Sequence, residues 1–221
     1  MADRAAKDAL FSAFAAVAKA LGNGRRAEIV DVLAQGARSV DELAGEIAQS
    51  VANTSQHLQT LARAGLVRSR REGTRVVYRL ASDEVALLWE MLRSVASTHL
   101  AEVEVLAAAY LGDRGEIEHI SAGELHARLA DGTVTVLDVR PSREYAAGHI
   151  RGAVHAPLGE LERLADELAE SAEVVAYCRG PYCVYADDAV RLLRARGIAA
   201  RRLDTGFPEW RRAGLPVALA G

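Results

Sequence analysis

The stretch that most constrains the fold of this chain predicts a strand, a tight loop and a helix in immediate succession. Residues 174–177 (VVAY) are a short apolar run that favours a β-strand, and apolar residues recur at helical spacing from Val184 until Gly197 ends the pattern. The six residues from Cys178 to Cys183 must therefore turn the chain between a strand end and a helix N-terminus. Because backbone N–H groups at a helix N-terminus lack intrahelical partners, this loop is suited to hold an anion.

The loop contains both cysteines of the chain. Cys178, at its first position, lies near the loop amides and the positive end of the helix dipole, which lower a thiol pKa from about 8.5 toward neutrality and favour the thiolate. The next three residues predict an exposed loop and not a core segment, which disfavours two inert buried thiols. We therefore predict an anion cradle that consists of Arg179, Gly180, Pro181, Tyr182 and Cys183.

The spacing of the cysteines argues against two other chemistries. A phosphatase-type Cys-x5-Arg loop would place an arginine at position 184 to clamp a tetrahedral oxyanion, whereas the sequence has Val184. A zinc site requires Cys-x2-Cys or a cluster of His and Cys, but Cys178 and Cys183 are five positions apart and the nearest histidine in sequence is His155. We predict no metal site and no cofactor. What remains is a sulfur-handling nucleophile, Cys178, with Cys183 as a candidate resolving thiol.

Three segments resemble the signature stretches of a rhodanese domain, in the same order along the chain. They are residues 136–153 (VLDVRPSREYAAGHIRGA), the loop that begins at Cys178, and residues 206–217 (GFPEWRRAGLPV). The resemblance covers roughly residues 116–221 and implies a sulfurtransferase-type domain in which Cys178 carries a persulfide, with loop amides holding the terminal sulfur. Thr205 departs from the pattern, since many relatives have a glycine there, and we expect only a local change of turn.

Composition favours two domains and a partner that carries phosphate. At 221 residues the chain exceeds the usual size of one domain, so two domains of about 100 residues are expected. The absence of an apolar run of about 18 residues and of a signal-peptide pattern predicts a cytoplasmic protein without a membrane partner. The net charge of −3 hides a basic patch, since six arginines between Asn53 and Leu80 stand against a single acidic residue, Glu72. Such a patch indicates phosphate contact.

The basic patch follows a pattern typical of a helix-turn-helix. A capping box at residues 39–42 (SVDE) begins a short helix, residues 48–50 form a turn, and residues 52–64 form a second helix. Residues 66–71 and 74–80 then alternate as the two strands of a β-hairpin. The sequence therefore predicts a helix-turn-helix followed by a basic wing.

The same region resembles the ArsR/SmtB family of winged-helix repressors. Residues 53–58 (NTSQHL), 64–67 (AGLV), 71–73 (REG) and 78–80 (YRL) carry the resemblance, which covers roughly residues 10–110. It implies a homodimer on an inverted-repeat operator in double-stranded DNA, with each recognition helix in a major groove and each wing near the backbone or minor groove. The residues expected to contact DNA are Asn53, Ser55, Gln56 and His57 of the helix and Arg71 and Arg75 of the wing.

The sequence departs from the metal-sensing members of that family. Residues 41–45 (DELAG) lack the cysteine pair of arsenic and cadmium sensors. A long helix, predicted from about Ser82 to Tyr110, lacks the acidic and histidine set of zinc sensors. We therefore interpret His99 as a surface or dimer-interface residue, and the apolar stripe of the long helix as a dimerisation surface.

The expected fold has two domains. Residues 1–111 form a mainly α winged helix-turn-helix domain with a β-hairpin wing, residues 112–115 form a linker, and residues 116–221 form an α/β rhodanese domain with a mainly parallel sheet. Strands of that sheet are predicted at residues 134–139, 174–177 and 199–203.

The expected function is that of a transcriptional repressor with a built-in sulfur sensor. In the first hypothesis Cys178 accepts sulfane sulfur from thiosulfate, polysulfide or a persulfide, Cys183 attacks or captures it, and DNA affinity changes. In the second, the rhodanese half is a working sulfurtransferase tethered to DNA. Arsenite capture by the two thiols is a weaker alternative, because trivalent arsenic prefers three thiolates and the chain has two cysteines.

Overall fold

A computed structural model of the protein describes residues 3–169 and 171–219. The chain divides into two compact units, with the division between Ala96 and Ser97. The linker predicted at residues 112–115 lies within the second unit, and the predicted domain boundaries stay a prediction. Across the described residues, no helix is long and apolar enough to cross a membrane.

The first unit consists of helices and a small antiparallel sheet. In chain order the described elements are α1 (Arg4–Leu21), α2 (Gly24–Ala34), β1 (Arg38–Ser39), α3 (Val40–Glu46), α4 (Val51–Arg63), β2 (Val67–Glu72), β3 (Arg75–Leu80) and the start of α5 (Asp83–His99). The core is formed by almost completely buried apolar side chains from α2, α3, α4 and the turn between α3 and α4: Ile29, Val30, Leu33, Leu43, Ile47, Leu58 and Leu61.

α3 and α4 form the predicted helix-turn-helix. The capping box is present, because the Glu42 backbone N–H donates to Ser39 Oγ (3.4 Å) and the Ser39 backbone N–H donates to Glu42 Oε2 (2.7 Å). Ser50 is the N-cap of α4, and its Oγ accepts from the backbone N–H of Asn53 at 3.2 Å. Leu58 and Leu61 point inward as predicted, which leaves the opposite face of α4 to solvent.

β2 and β3 form the predicted wing. They pair in antiparallel register from Val67 opposite Leu80 to Glu72 opposite Arg75, and Gly73 takes a φ of 60° in the turn. β1 pairs with the other edge of β3, which ties the base of the wing to the start of α3. Beyond the buried Val67, the side chains of β2 are exposed.

The second unit contains an α/β fold. In chain order, after the end of α5, its described elements are α6 (Ala101–Leu111), β4 (His119–Ile120), α7 (Ala122–Ala130), β5 (Thr135–Asp138), α8 (Ser142–Ala147), β6 (His149–Ile150), β7 (Val154–His155), α9 (Leu158–Leu168), β8 (Val174–Tyr177), α10 (Val184–Ala195), β9 (Ala200–Leu203), α11 (Phe207–Arg212) and β10 (Val217–Ala218).

The prediction of one continuous helix from about Ser82 to Tyr110 is wrong. α5 ends at His99, Leu100 takes extended backbone angles (φ −113°, ψ 98°), and α6 then begins at Ala101. Neither glycine nor proline occurs at this position, and the apolar pattern continues through Leu100, so the sequence predicts a single helix.

The main sheet of the second unit is parallel, as predicted. Within the described residues it has five strands in the order β4-β9-β8-β5-β7. Alternate residues of β8 face two separate cores: Val174 and Ala176 pack in the core that includes α9 and α10, whereas Val175 and Tyr177 pack in the core that includes α7 and α11. Helices therefore cover both faces, and the α/β class is confirmed. β8 has its predicted bounds, while β5 and β9 are slightly shorter than predicted.

A buried polar network fixes the C-terminal ends of β5 and β8. The Arg140 guanidinium is fully buried and donates through Nη2 to Asp138 Oδ2 (2.6 Å) and to the carbonyl of Gly148 (2.7 Å). Tyr177 Oη donates to Asp138 Oδ2 (2.5 Å) and accepts from the backbone N–H of Ile150 (3.0 Å). Burial raises the pKa of Tyr177 well above its usual value, so the phenol keeps the proton that it donates. The strand end that precedes the cysteine loop is thus tied to β6.

Candidate functional site

The cysteine loop lies where the sequence predicts it, between β8 and α10. Cys183 is the N-cap of α10, while Cys178 is only 1% exposed. The other loop residues are buried or half-buried: Gly180 is buried, and Arg179, Pro181 and Tyr182 are half-buried. The prediction of an exposed loop is therefore wrong, because the loop packs against Gly206 and two of its carbonyls accept hydrogen bonds from arginine side chains.

The two cysteines are joined by a disulfide bond. The Cα atoms of Cys178 and Cys183 are 6.2 Å apart, within the range of about 4.4–6.8 Å that disulfides span. The folded loop therefore brings both sulfur atoms within bonding distance. Chemically, this arrangement is a thiol–disulfide couple in its oxidised state.

The guanidinium of Arg179 binds the fully buried carboxylate of Glu144 in α8. Its Nη2 donates to Glu144 Oε1 at 2.6 Å, and its Nε donates to the same oxygen at 3.0 Å. Glu144 thus compensates the charge of Arg179.

Two further arginines hold the carbonyls between the cysteines. Arg114 Nη1 donates to the Pro181 carbonyl at 2.9 Å, and Arg202 Nη2 donates to the Gly180 carbonyl at 2.8 Å. Both arginines also bind Asp187 of α10, whose carboxylate is fully buried. Arg114 Nε lies 2.6 Å from Asp187 Oδ2, and Arg202 Nε lies 2.9 Å from Asp187 Oδ1. One carboxylate therefore fixes two arginines, and each arginine fixes one peptide of the loop.

Two guanidinium groups share the Asp187 carboxylate in this cluster, and the charge of Asp204 also acts on Arg202. Burial lowers the pKa of Arg202 to about 10, so this side chain stays charged at neutral pH. Burial, and then the charges of Arg202 and Arg114, lower the pKa of His119, which is therefore neutral at pH 7. The N-terminus of α10 favours an anionic sulfur in the loop.

Gly206 supports the loop from the other side. A Cβ at this position would lie 2.3 Å from the Arg179 carbonyl oxygen and 2.5 Å from the Gly180 nitrogen, so any larger residue displaces the loop backbone. The next residue, Phe207, donates its backbone N–H to the Cys178 carbonyl at 3.2 Å. Gly206 and Phe207, the first residues of the third stretch that resembles a rhodanese domain, thus contact the backbone of the loop.

Tyr182 and Thr205 show two further details of the second unit. The Tyr182 hydroxyl shares a short hydrogen bond with Ser97 Oγ. The Oγ1 atom of Thr205, the residue that departs from the rhodanese pattern, is buried, and no hydrogen-bond partner is found for it among the described residues. Within the same residues, no group of three or more His, Cys, Asp or Glu side chains could hold a metal ion.

Sequence reasoning missed the residues that hold the loop, namely Glu144, Asp187, Arg202 and Arg114. A signal was present for Arg202, because a charged residue in a predicted strand of a sheet that helices cover on both faces indicates a buried ion pair. Asp187 and Arg114 gave no comparable signal, since a helix and a linker both tolerate charges.

Of the predicted DNA-contacting residues of α4, Asn53 and Gln56 are exposed, and Ser55 and His57 are half-buried. At about 100° per residue, Gln56 lies opposite the buried Leu58, and it is exposed. Asn53 and His57 lie on one flank of this outward face and Ser55 lies on the other. The four residues therefore surround the outward face and do not form a single stripe.

The wing presents the predicted arginines to solvent. Arg71 and Arg75 are both exposed, and Arg71 Nε donates to the Gly73 carbonyl at 3.2 Å in the turn. Arg68 and Arg79 stand directly opposite each other on β2 and β3. Like charges in such a pair are destabilising unless an anion lies between them, so this surface is suited to a polyanion.

Two family models match the chain. The model of the rhodanese-like domain matches residues 121–213. The model described as bacterial regulatory protein, arsR family, matches residues 23–69.

The chain is similar along most of its length to the HTH-type transcriptional regulator Rv0324 of Mycobacterium tuberculosis, with 49% identity over 211 residues, which are 96% of this chain and 92% of that protein. A shorter similarity, 47% identity over 49 residues, joins it to the putative sulfur carrier protein YrkF of Bacillus subtilis and covers 22% of this chain and 26% of that protein. A solution structure of the homodimeric winged helix-turn-helix domain of Mb0332 from Mycobacterium bovis is 45% identical. It covers 46% of this chain and 93% of that chain, with a TM-score of 0.43.

Replacing Gly206 with Ala tests the support of the loop. The added methyl group overlaps the Arg179–Gly180 peptide, and we expect a loss of about 1–3 kcal/mol in the free energy of unfolding together with a changed rate of Cys178 alkylation in the reduced protein. Denaturant unfolding and alkylation kinetics measure the two effects. Gly159→Ala is the matched control, because a Cβ at Gly159 meets nothing within 4 Å. Equal stability and alkylation rates in both variants would contradict the account of the loop.

Proposed function

Since the chain belongs to the arsR family of bacterial transcriptional regulators and carries a rhodanese-like domain, we propose that it regulates transcription in response to sulfane sulfur. Cys178 takes up the sulfur, Cys183 resolves the product, and the state of the loop sets the affinity for the operator. The observation that supports this proposal most directly is the bond between the two cysteines across a loop with Cα atoms 6.2 Å apart.

The chemistry is two successive displacements at sulfur. The Cys178 thiolate attacks the outer sulfur of thiosulfate, the S–S bond breaks, and its electron pair leaves with sulfite. A polysulfide donor reacts in the same way and loses a shorter polysulfide. The Cys183 thiolate then attacks Cys178 Sγ, the bond from Sγ to the terminal sulfur breaks, and that sulfur leaves as hydrosulfide. The product is the disulfide, which a two-electron thiol reductant reopens.

The second cysteine favours sensing over turnover. A sulfurtransferase must keep its persulfide available to an external acceptor, whereas Cys183 consumes it within the same loop. The burial of Cys178 also restricts access of a large acceptor. A working sulfurtransferase and an arsenite-responsive repressor remain the alternatives, and no feature of the loop favours either.

The outward face of α4 and the wing form the DNA surface of the proposal. One recognition helix reads a half-site, so an inverted-repeat operator requires a second copy of the chain. The surface proposed for that second copy is the apolar side of α1 and α5, where large apolar residues are exposed and where a cavity of about 330 Å³ is lined by Phe14, Leu21, Leu88 and Leu92 among others. Leu10, Met91 and Val95 extend this exposed apolar surface.

Substitutions on α4 and on the wing should weaken DNA binding in different ways. Gln56→Ala or His57→Ala should reduce specific affinity by about 1–3 kcal/mol if the side chain binds a base edge. Arg71→Ala or Arg75→Ala should weaken specific and non-specific DNA alike and reduce the slope of log affinity against log salt by about one unit. Arg163→Ala, which removes an exposed charge from α9, is the control. If salt titrations with operator and random DNA show that all four variants bind as the control does, α4 and the wing are not the surface that binds DNA.

Cys183→Ser separates uptake of sulfur from the response. In the wild type, we expect polysulfide to convert the reduced cysteine pair to the disulfide and to weaken operator binding. A reductant should then restore operator binding. In Cys183→Ser, mass spectrometry should find a persulfide on Cys178, and operator affinity should stay constant. Cys178→Ser is the control that should take up no sulfur and should lack thiosulfate sulfurtransferase activity. If Cys183→Ser responds to polysulfide as the wild type does, Cys183 is only a packing residue of the loop.

A further inference from the structure

Arg114 lies in the segment between α6 and β4, yet its side chain reaches the peptide between the two cysteines. We infer that Arg114, together with Asp187 and Arg202, is a positioning residue that ties the opening and closing of the Cys178–Cys183 bond to the backbone of residues 112–117. This inference rests on the proposed function, because it explains how a change in the cysteine pair affects the backbone outside the loop.

The contacts of Arg114 join three parts of the second unit. Its Nε binds Asp187 Oδ2, and its Nη1 donates to the Pro181 carbonyl at 2.9 Å. The carbonyl of Arg114 itself accepts from the backbone N–H of Ile117 at 3.0 Å, so the backbone that carries this side chain is held in a turn. A displacement of the Pro181 peptide therefore acts on a hydrogen-bonded turn and not on a free side chain.

Asp187 makes the two arginines dependent on each other. Its Oδ2 accepts a hydrogen bond from Arg114 and its Oδ1 forms an ion pair with Arg202 Nε at 2.9 Å, while Arg202 Nη2 donates to the Gly180 carbonyl at 2.8 Å. The carboxylate is fully buried and Arg202 is 2% exposed, so water cannot substitute for a lost contact at this point. The peptides at positions 180 and 181 and the two guanidinium groups thus form one connected set.

The position of this set explains why the redox state affects it. Gly180 and Pro181 lie inside the ring that the disulfide closes, and Asp187 lies in the first turn of α10, whose N-cap is Cys183. When the bond opens, the constraint between Cys178 and Cys183 is removed, and only their hydrogen bonds and the packing on Gly206 then hold the carbonyls at positions 180 and 181. Arg114 then loses a fixed acceptor, and the turn at residues 114–117 loosens.

α10 provides a matched comparison for Arg114. Arg191 Nη2 donates to the carbonyl of Asp113 at 2.8 Å, so Arg191 also fastens the same segment. It is not among the side chains found to bind a carbonyl of the cysteine loop. Arg191→Gln should therefore loosen residues 112–117 while the contact between Arg114 and the Pro181 carbonyl stays intact.

Hydrogen–deuterium exchange on the full chain tests the inference. In the wild type, the backbone amide of Ile117, which donates to the Arg114 carbonyl, should exchange at least severalfold faster in the dithiol form than in the disulfide form. In Arg114→Gln, exchange should be fast in both forms, and the difference should disappear. In Arg191→Gln, exchange should rise in both forms but the difference should remain. Arg114→Lys keeps the charge toward Asp187 with a single donor nitrogen, and it should show a reduced difference even if the Gln variant folds poorly.

A second readout distinguishes positioning from mere packing. If opening the bond loosens the segment, linkage requires Arg114→Gln to shift the midpoint potential of the cysteine pair, whereas Arg191→Gln should leave it unchanged. Equal amide exchange in the two wild-type forms, or an unaltered difference and potential in Arg114→Gln, would overturn the inference. Operator affinity measured on the same samples separates the two proposals. If operator affinity depends on the redox state but amide exchange does not, the inference about Arg114 is wrong and the proposed sensor stands. If amide exchange depends on the redox state but operator affinity does not, the inference about Arg114 stands and the proposed sensor is wrong.

Discussion

The shape of the cysteine loop depends on the buried carboxylate of Asp187. It is bound by Arg114 and Arg202, and each of these arginines uses further donors to hold one carbonyl between the cysteines. Removing one member of a buried ion pair typically costs about 3–5 kcal/mol, because an uncompensated charge is left behind. The arrangement is therefore stable only as a complete set, and the loop takes its conformation from that set as well as from its own sequence.

Much of the fold could be predicted from local patterns. The strand from Val174 to Tyr177, the capping box at Ser39 and Glu42, and the wing all follow from periodicity, capping and turn chemistry, and the structure confirms them. The break at Leu100 could not be predicted, because no residue type marks it and the apolar pattern continues on both sides.

The position of the cysteine loop was predictable from the sequence, but its surroundings were not. Cys178 and Cys183 were identified from a strand, a loop and a helix that are adjacent in sequence. The loop was expected to be exposed because Arg179, Gly180 and Pro181 are typical of surface loops, but the residues that cover and hold it are distant in sequence. Contacts such as that of Arg202 with Gly180, 22 positions apart, depend on the sheet bringing β9 beside β8, which no local pattern reveals.

The energy that a sensor of this kind needs is small. A tenfold change in operator affinity corresponds to about 1.4 kcal/mol, roughly the net contribution of one or two hydrogen bonds. In the proposed sensor, opening the bond would alter the hydrogen bonds of Gly180 and Pro181, which is a change in free energy on this scale. The chemistry therefore need not reorganise the fold to act on DNA binding.

The most direct test of the account is the operator affinity of the wild-type protein in two verified states of the cysteine pair. One sample is fully reduced and the other is fully in the Cys178–Cys183 disulfide, both confirmed by mass, at equal salt concentration. The account predicts that the disulfide form binds the operator at least about tenfold more weakly, which corresponds to about 1.4 kcal/mol. Equal affinities in the two states would contradict it.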